Sequence, residues 1–195
     1  MTSRSESSQP RPTQFAPAER EDPKTIGRQA KGISNSALVQ RLLDSVPVLV
    51  MIVNRRRQII YANAACIRFL GLEDAACIHG MRPGEAVGCT HAFKTEGGCG
   101  TTEFCRTCGG VMAMMASLDD ESRAEECRVR REIGGEALDL HVLGTPFEIR
   151  GERFAILAIT DISHEKRRRA LERIFFHDLL NDAGALQGLA DLLLE

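Results

Sequence analysis

The sequence predicts an α+β fold, a five-stranded antiparallel sheet with short flanking helices, followed by one long helix. Five short segments are rich in aliphatic and β-branched residues, and turn sequences separate them at hairpin distances. Short segments with helix start and stop signals lie on either side of the first hairpin. No proline follows Pro146, and the last part of the chain has a helical apolar period.

The first predicted elements are a helix, a hairpin and a second helix. Ser36 is a suitable N-cap because its hydroxyl can accept a bond from a free helix amide, and Pro47 ends the helix. One face of this helix carries three leucines: Leu38, Leu42 and Leu43. The segments VLVMIVN and RQIIYAN then predict two strands around an arginine-rich turn. After them, AACIRFLG predicts a short helix that Gly71 closes.

The remaining strands follow a cysteine-rich segment. They are AEECRVRREI, EALDLHVLGTPFEI and RFAILAITDI, with turns at Gly134-Gly135 and at residues 150–152. We therefore expect a disordered tail at residues 1–33, a folded domain at 34–163 with a cysteine-rich insert at 82–110, and a helix at 164–195.

Composition excludes several classes of protein. The net charge of −2 does not favour binding to nucleic acid. The longest apolar run, residues 46–53, is far shorter than the roughly 20 residues that span a bilayer, and the amino terminus has no secretory signal. We expect a cytoplasmic protein without a membrane span. In that reducing compartment, clustered cysteines more often bind metals than form disulfides.

Four of the seven cysteines lie in one short glycine-rich segment: Cys89, Cys99, Cys105 and Cys108. The Cys-x-x-Cys pair at its end lets two thiolates reach one ion from a single turn. Glycines at 88, 98 and 100 permit the sharp turns that bring the other two sulfurs round. The segment predicts a four-thiolate site, and the alternative is a thiol–disulfide switch.

The ion that such a site binds follows less directly from the spacing. Four thiolates suit either Zn²⁺ or a [4Fe-4S] cluster. Zinc would hold the loop together, whereas a cluster would respond to redox state or oxygen. We favour the cluster, with zinc as the alternative. His91 is close enough to replace a ligand but is interpreted as a surface residue, and the other three cysteines as small buried apolar residues: Cys66, Cys77 and Cys127.

The order of elements resembles a PAS domain. The segment from LLDSVP to FLGL, including YAN at 61–63, is similar to the opening helix, hairpin and helix of PAS sensors. ILAITDISHEKR is similar to the last PAS strand and its exit into a signalling helix. The cysteine segment after Arg82-Pro83-Gly84-Glu85 is similar to segments in PAS domains of bacterial sensor kinases.

The carboxy-terminal helix carries an apolar seam that advances by three and four residues: Phe176, Leu179, Ala183, Leu186, Ala190 and Leu193. Such a seam is typical of helix–helix packing, so we expect a coiled-coil homodimer through this helix.

FHDLLN, at residues 176–181, resembles the H-box of two-component histidine kinases. The resemblance implies that His177 accepts the phosphoryl group, that Asp178 is the base and that Asn181 orients water for dephosphorylation of a response regulator. Asp182 stands where many members of the family have proline.

These predictions combine into the sensory part of a cytoplasmic two-component histidine kinase. No ATP-binding segment precedes Glu195. We therefore expect ATP to bind to a kinase domain outside this sequence, in cis or in trans, so enzymatic activity stays undecided. The alternatives are an adaptor module with a structural zinc and, less favoured because no thioredoxin-like βαβ pattern is present, a small oxidoreductase using Cys105 and Cys108.

Overall fold

The structure is a computed structural model that describes residues 13–132, 135 and 137–194, without the side chains of 185–194. The chain divides after Thr160 into two compact units. The strands are β1 (Leu49–Asn54), β2 (Ile59–Ala62), β3 (Arg123–Arg130), β4 (Ala137–Ile149) and β5 (Glu152–Asp161). The α-helices are α1 (Pro23–Ser34), α2 (Ala37–Ser45), α3 (Ala64–Leu70), α4 (Pro83–Ala86), α5 (Gly109–Leu118) and α6 (Ser163–Leu194). Three 3₁₀ turns lie between them: Ala75–Ile78, Thr90–Phe93 and Glu103–Thr107.

The five strands form one sheet in the order β2-β1-β5-β4-β3, which confirms the predicted sheet. β1 pairs antiparallel with both β2 and β5, so the first hairpin lies beside the last strand. β3 pairs antiparallel with β4 from Arg123↔Gly144 to Arg130↔Ala137. In the turn between β3 and β4, Gly135 has a φ of 64°, as a tight turn requires, and Gly134 lies outside the described residues.

Strand alternation divides the core between the two faces of the sheet. On one face, Met51 and Val53 of β1 and Leu157 of β5 lie in the larger core, together with Met114 of α5. On the other face, Ile52 of β1 belongs to a smaller cluster with residues of α1. The cysteine-rich segment packs on the first face.

The local signals around the first hairpin are confirmed. The Ser36 hydroxyl accepts from the Val39 amide at 3.4 Å at the start of α2. Asn63 caps α3 by accepting from the Cys66 amide at 3.0 Å, and Gly71 ends α3 with a φ of 68°. The Asn63 side-chain oxygen also accepts from the Val50 amide at 3.0 Å, so this residue joins the helix to β1.

Residues 13–34 correct the prediction of a disordered tail for 1–33; residues 1–12 lie outside the described part. α1 begins at an Asp22 N-cap, and its Ile26 and Ile33 are buried against the sheet. Burial of two isoleucines stabilises this contact by a few kcal/mol, at about 1.5–3 kcal/mol each. Residues 13–34 are mostly polar, so the apolar face of α1 was not recognised in the sequence.

α5 was not predicted. It starts at Gly109-Gly110, and glycine is a poor helix former. Buried side chains on several sides of α5 also remove the amphipathic period that identifies a helix: Val111, Ala113, Met114, Ser117 and Leu118.

The second unit is α6, a continuous helix over Ser163–Leu194, as predicted. In its described part the seam residues Phe176 and Leu179 are exposed. The side chains of the other large seam residues, Leu186 and Leu193, lie outside the described part.

Candidate metal centre

A cavity of about 350 Å³ lies between the sheet and the cysteine-rich segment. All four predicted ligand cysteines line it: Cys89, Cys99, Cys105 and Cys108. The floor includes Leu157 and Ile159 of β5, so the thiols face the packed side of the sheet. The four cysteines are free thiols in the structure.

Glycines with left-handed backbones make the turns that carry two of these cysteines. Gly88, before Cys89, has a φ of 76°, and Gly98 and Gly100, on either side of Cys99, have φ values of 80° and 89°. Residues with a Cβ are disfavoured in this region by about 1–2 kcal/mol. The predicted use of these glycines is confirmed.

Gly84 allows a close approach between α4 and Cys99. A Cβ atom at position 84 would lie 2.5 Å from the Cys99 sulfur, a distance that real Cβ atoms do not adopt. α4 is itself fixed at its start because the Glu85 carboxylate accepts from the Arg82 amide at 2.9 Å. Position 84 therefore needs glycine for the wall of the cavity to close.

Cys108 is the N-cap residue of α5, so its sulfur lies where helix amides have no backbone acceptor. A hydrogen bond from the Cys127 thiol is the main cause that lowers the pKa of Cys108, and the amides of Val111 and Gly110 add to it. The same hydrogen bond is the main cause that raises the pKa of Cys127.

The other thiols have different surroundings. Burial raises the pKa of Cys99 to about 12 and also raises the pKa of Cys89. The Cys105 sulfur lies 3.2 Å from the Thr102 hydroxyl. Because a metal binds thiolates, ion binding at Cys99 and Cys89 would release protons.

The donor set suits a thiolate-bound ion, although the sulfurs do not form a ready ligand cage. Within the described residues, no three His, Cys, Asp or Glu side chains are arranged to hold a metal ion. The four sulfurs share a cavity and would have to move closer to bind one ion. Soft donors and nearby amide donors fit Zn²⁺ or an iron–sulfur cluster better than a hard cation.

Two residues of the cavity differ from their sequence interpretation. Cys127, interpreted as a simple buried residue, lines the cavity and contacts Cys108. Alternation along β3 places Cys127 and Val129 on the core face, and that signal could have found it. His91, interpreted as a surface residue, also lines the cavity, and its ring stacks on Phe104 with centroids 4.4 Å apart.

The other two cysteines lie outside this cavity. Cys66 is completely buried in the core, as expected. Cys77 is exposed, so its interpretation as a buried residue is wrong, because it lies in a short 3₁₀ turn of which only Ile78 is buried.

A buried arginine holds the cysteine segment to the rest of the domain. The Arg82 side chain has no exposed surface. Its guanidinium group donates to Gly97 O at 2.7 Å and to Cys99 O at 3.2 Å, on the cysteine segment. It also donates to Glu19 O at 2.9 Å. Burial lowers the pKa of Arg82 to about 9, so the group remains charged at neutral pH.

Residues 13–22, hereafter the clasp, pair with the cysteine segment from the outside. The Gln14 amide donates to Thr101 O at 2.8 Å, and the Ala16 amide donates to Gly100 O at 3.0 Å. Phe15 packs on the apolar cluster around Cys99 and Cys105. The clasp closes the outer side of the cysteine segment with main-chain hydrogen bonds.

The predicted phospho-acceptor lies on α6, with both predicted partners beside it. His177 Nδ1 lies 3.3 Å from Asp178 Oδ1 and 3.2 Å from the Asn181 side-chain nitrogen. The His177 and Asp178 side chains are 70% and 69% exposed. If Nδ1 carries the proton and donates it to Asp178, Nε2 keeps its lone pair and can act as a nucleophile.

None of the helices in the described part of the chain is long and apolar enough to cross a membrane.

Comparison with known proteins finds one matching family model and several solved structures with a similar fold. The family model described as PAS domain matches residues 37–104. No curated protein matches the sequence.

Three solved structures illustrate the similarity. An RNA-binding light-oxygen-voltage receptor is 17% identical, with a TM-score of 0.50, over 70% of this chain and 36% of that one. The PAS domain of BvgS from Bordetella pertussis is 19% identical, with a TM-score of 0.48, over 74% of this chain and 96% of that one. The PAS domain of nitrogen regulation protein NR(II) from Vibrio parahaemolyticus is 15% identical, with a TM-score of 0.47, over 65% of this chain and 100% of that one.

Proposed function

Because the sheet and its helices have the PAS fold, with the family match at residues 37–104, we propose that this chain is the sensory part of a two-component histidine kinase. Its input is an iron–sulfur cluster, with zinc as the alternative, bound by four thiolates: Cys89, Cys99, Cys105 and Cys108. Its output is a phosphoryl group accepted by His177 on a dimeric α6.

The observation that carries the proposal is the common cavity. Four cysteines spread over 20 residues of sequence line one space on the core face of the sheet. The turns that place them there depend on glycines in the left-handed region, a conformation that few other residues adopt. Four free thiols in one cavity supply the donor set of a tetrathiolate centre.

The protein contacts that hold the cysteine segment in place favour a redox group over a purely structural ion at this site. Arg82 and the clasp already hold the loop at residues 97–101 through main-chain carbonyls and amides. A zinc ion that only fixed this loop would duplicate those contacts. When bound, a cluster supplies one-electron chemistry and sensitivity to oxygen.

The output side of the proposal rests on α6. Its exposed apolar residues suit a second copy of the same helix, and His177 stays accessible beside them. Asp178 would hold the imidazole in the tautomer that leaves Nε2 free for the phosphoryl group. Asn181, one turn further on, would position water during dephosphorylation of a response regulator. ATP would come from a kinase domain outside this sequence.

Metal and sulfide analysis of protein purified without oxygen tests the input. We expect roughly four irons per chain, acid-labile sulfide and a broad visible absorption that air bleaches. One zinc and no colour would identify the structural alternative and the adaptor function. Absence of both metals would overturn the proposal.

Cys108→Ser with Cys77→Ser as its control tests the assignment of the ligands. We expect Cys108→Ser to lose the metal and to lower the melting temperature, because metal binding is coupled to folding: an ion that binds only the folded protein stabilises it. Cys77 is exposed and outside the cavity, so Cys77→Ser should change neither. Full metal loss with unchanged melting would disprove the coupling.

Phosphotransfer tests the output separately. The chain is incubated with ATP and an active kinase domain of a histidine kinase, and acid-labile phosphate on the chain is measured. We expect label on wild type and none on His177→Gln. Label that persists in His177→Gln would show that another residue is the acceptor.

A further inference from the structure

We propose that Arg57, together with Arg82, is the countercharge of the thiolate centre, so that the charge of Arg57 increases the affinity of the cavity for an anionic metal–thiolate group. This inference rests on the proposed metal site and assigns a role to residues outside its ligand set. Both guanidinium groups are buried and donate to carbonyl oxygens. Arg57 lies near Cys99 and Cys105, and Arg82 lies near Cys99.

Both arginines are buried to an extent that is unusual for this residue type. Arg82 is 0% exposed and Arg57 is 4% exposed. Arginine is seldom buried unless it is paired, because removal of its charge from water is costly. Arg57 also has a φ of 62°, so the backbone adopts an unfavourable conformation in placing this side chain inward.

Within the described residues, the hydrogen bonds of the two guanidinium groups go to carbonyl oxygens and to no carboxylate. Arg57 donates to Pro17 O, and its Nε is buried without a hydrogen-bond partner in that part of the chain. Arg82 donates to main-chain carbonyls of the clasp and of the cysteine segment. Carbonyls solvate a guanidinium group but do not neutralise it. Glu85 attracts Arg82 through charge, but its carboxylate is already paired with Arg20.

Two thiols of the cavity lie close enough to Arg57 to interact with its charge. A Cβ atom at Gly100 would lie 3.2 Å from Arg57 Nε, so the guanidinium group lies directly beneath the residue that follows Cys99. Cys99 and Cys105 are the thiols that interact with Arg57 through charge, and Cys99 also interacts with Arg82. Glu19 is near Arg57, but it is exposed to water.

The buried charges around the cavity do not cancel. Arg20 is paired with Glu85, whose carboxylate is 10% exposed, so this ion pair is neutral as a whole. Arg57 and Arg82 then leave two positive charges. Four thiolates around Zn²⁺, or around an oxidised [4Fe-4S] core, have a net charge of about −2. The protein supplies a charge of the matching size and opposite sign.

The test compares three full-length variants with wild type. Arg57→Gln removes the charge and keeps a polar side chain, and Arg57→Lys restores the charge without the guanidinium geometry. Arg55→Gln is the matched control, because Arg55 is an exposed arginine in the same turn. The measurement is Zn²⁺ affinity by competition with a chromophoric chelator under reducing conditions, together with the pH at which half of the zinc is bound.

We expect Arg57→Gln to bind Zn²⁺ about tenfold or more weakly than wild type, as loss of a charge close to a poorly solvated site predicts. Its half-binding pH should rise, because the thiolates lose a nearby positive charge. Arg57→Lys should restore most of the wild-type Zn²⁺ affinity and of the wild-type half-binding pH, and Arg55→Gln should match wild type in both. In protein that carries a cluster, Arg57→Gln should also lower the reduction potential.

Two failures are distinguishable. If wild type binds neither zinc nor iron, the proposed metal site itself is wrong. If wild type binds zinc and Arg57→Gln binds it equally, the site stands and the countercharge role is overturned. Equal weakening of zinc binding by Arg57→Gln and by Arg57→Lys would also overturn the countercharge role and would show that Arg57 has a purely structural role. If Arg57→Gln does not fold, Arg20→Gln is used instead: it leaves the Glu85 carboxylate unpaired, which makes the same region more negative by one charge and should also weaken zinc binding.

Discussion

The cysteine region and the histidine region of this chain are built in opposite ways. Arg82, at the start of the cysteine region, has no exposed surface, the thiols line a cavity, and main-chain hydrogen bonds from the clasp hold the outer side of the segment. His177 is 70% exposed on a single helix, and within the described residues its ring hydrogen-bonds to Asp178 and Asn181 of that helix. The proposed sensing site would need a fixed reference geometry, whereas the proposed phospho-acceptor would have to be reached by other proteins. The following predictions test that contrast, in order of decreasing effect on the free energy of unfolding.

Arg82→Gln should have the largest effect. The shorter amide cannot reach carbonyls on both the clasp and the cysteine segment, and it leaves buried acceptors without donors. We expect a loss of at least about 3 kcal/mol in urea unfolding. Arg55→Gln, in an exposed position, should stay within about 0.5 kcal/mol of wild type. Similar losses for both variants would show that the buried network does not hold the region.

Gly98→Ala and Gly88→Ala separate backbone strain from packing. Both glycines have positive φ, at 80° and 76°. A Cβ at position 98 would overlap the Glu85 carboxylate, whereas a Cβ at position 88 meets nothing within 4 Å. We expect Gly88→Ala to cost about 1–2 kcal/mol, from strain alone. Gly98→Ala should cost about 1–3 kcal/mol more, from overpacking. Equal melting temperatures would mean that the wall of the cavity is more compliant than its geometry indicates.

Cys66→Ala should change how stability depends on pH. Burial raises the pKa of Cys66 to about 11 from its usual 9.0. The folded state therefore keeps the thiol proton that the unfolded state loses, so stability falls as pH rises from about 9 to 11, by up to about 2 kcal/mol.

The alanine variant lacks this contribution. Its unfolding free energy, measured in metal-free protein, should fall less steeply over that pH range. Cys77→Ala, at an exposed position, should keep the wild-type slope. A Cys66→Ala slope equal to that of wild type would show that Cys66 ionises normally in the folded state.

His177→Gln should have the smallest effect on stability. Its exposed ring makes one weak contact with Asp178 and one with Asn181, so we expect a change within about 0.5 kcal/mol. Thermal unfolding followed by circular dichroism measures this. A loss comparable to that of Arg82→Gln would show that His177 has a structural role, which would remove the contrast between the two regions.

The elements that depend on local signals could be predicted from the sequence. The Ser36 cap, the Gly71 stop and the three hairpins, β1–β2, β3–β4 and β4–β5, each depend on residues that are close together in the chain. The cysteine segment also belongs to this group in part, because Gly88, Gly98 and Gly100 mark its turns by residue type alone.

The remaining features depend on distant partners and could not be read from local sequence. The clasp looks like a polar tail because its acceptors pair with Arg57 and Arg82, which follow it by 40 and 65 residues. Cys127 joins the cavity only because β3 lies beside the start of α5, where Gly109 and Gly110 leave room for the strand. Alternation along β3 indicates that Cys127 faces the core, but it does not indicate which element packs there.

The clasp has a practical consequence for how this protein is divided into fragments. The family match begins at residue 37, and a fragment cut there would lack Pro17 and Glu19. Arg82 would lose its bond to Glu19 O, and Arg57 its bond to Pro17 O. Such a fragment would keep every strand of the sheet and still lose the clasp acceptors of two buried cations. The structural boundary of this domain therefore lies upstream of the start of the family match, at or before Thr13, whose hydroxyl bonds to Ala16 O.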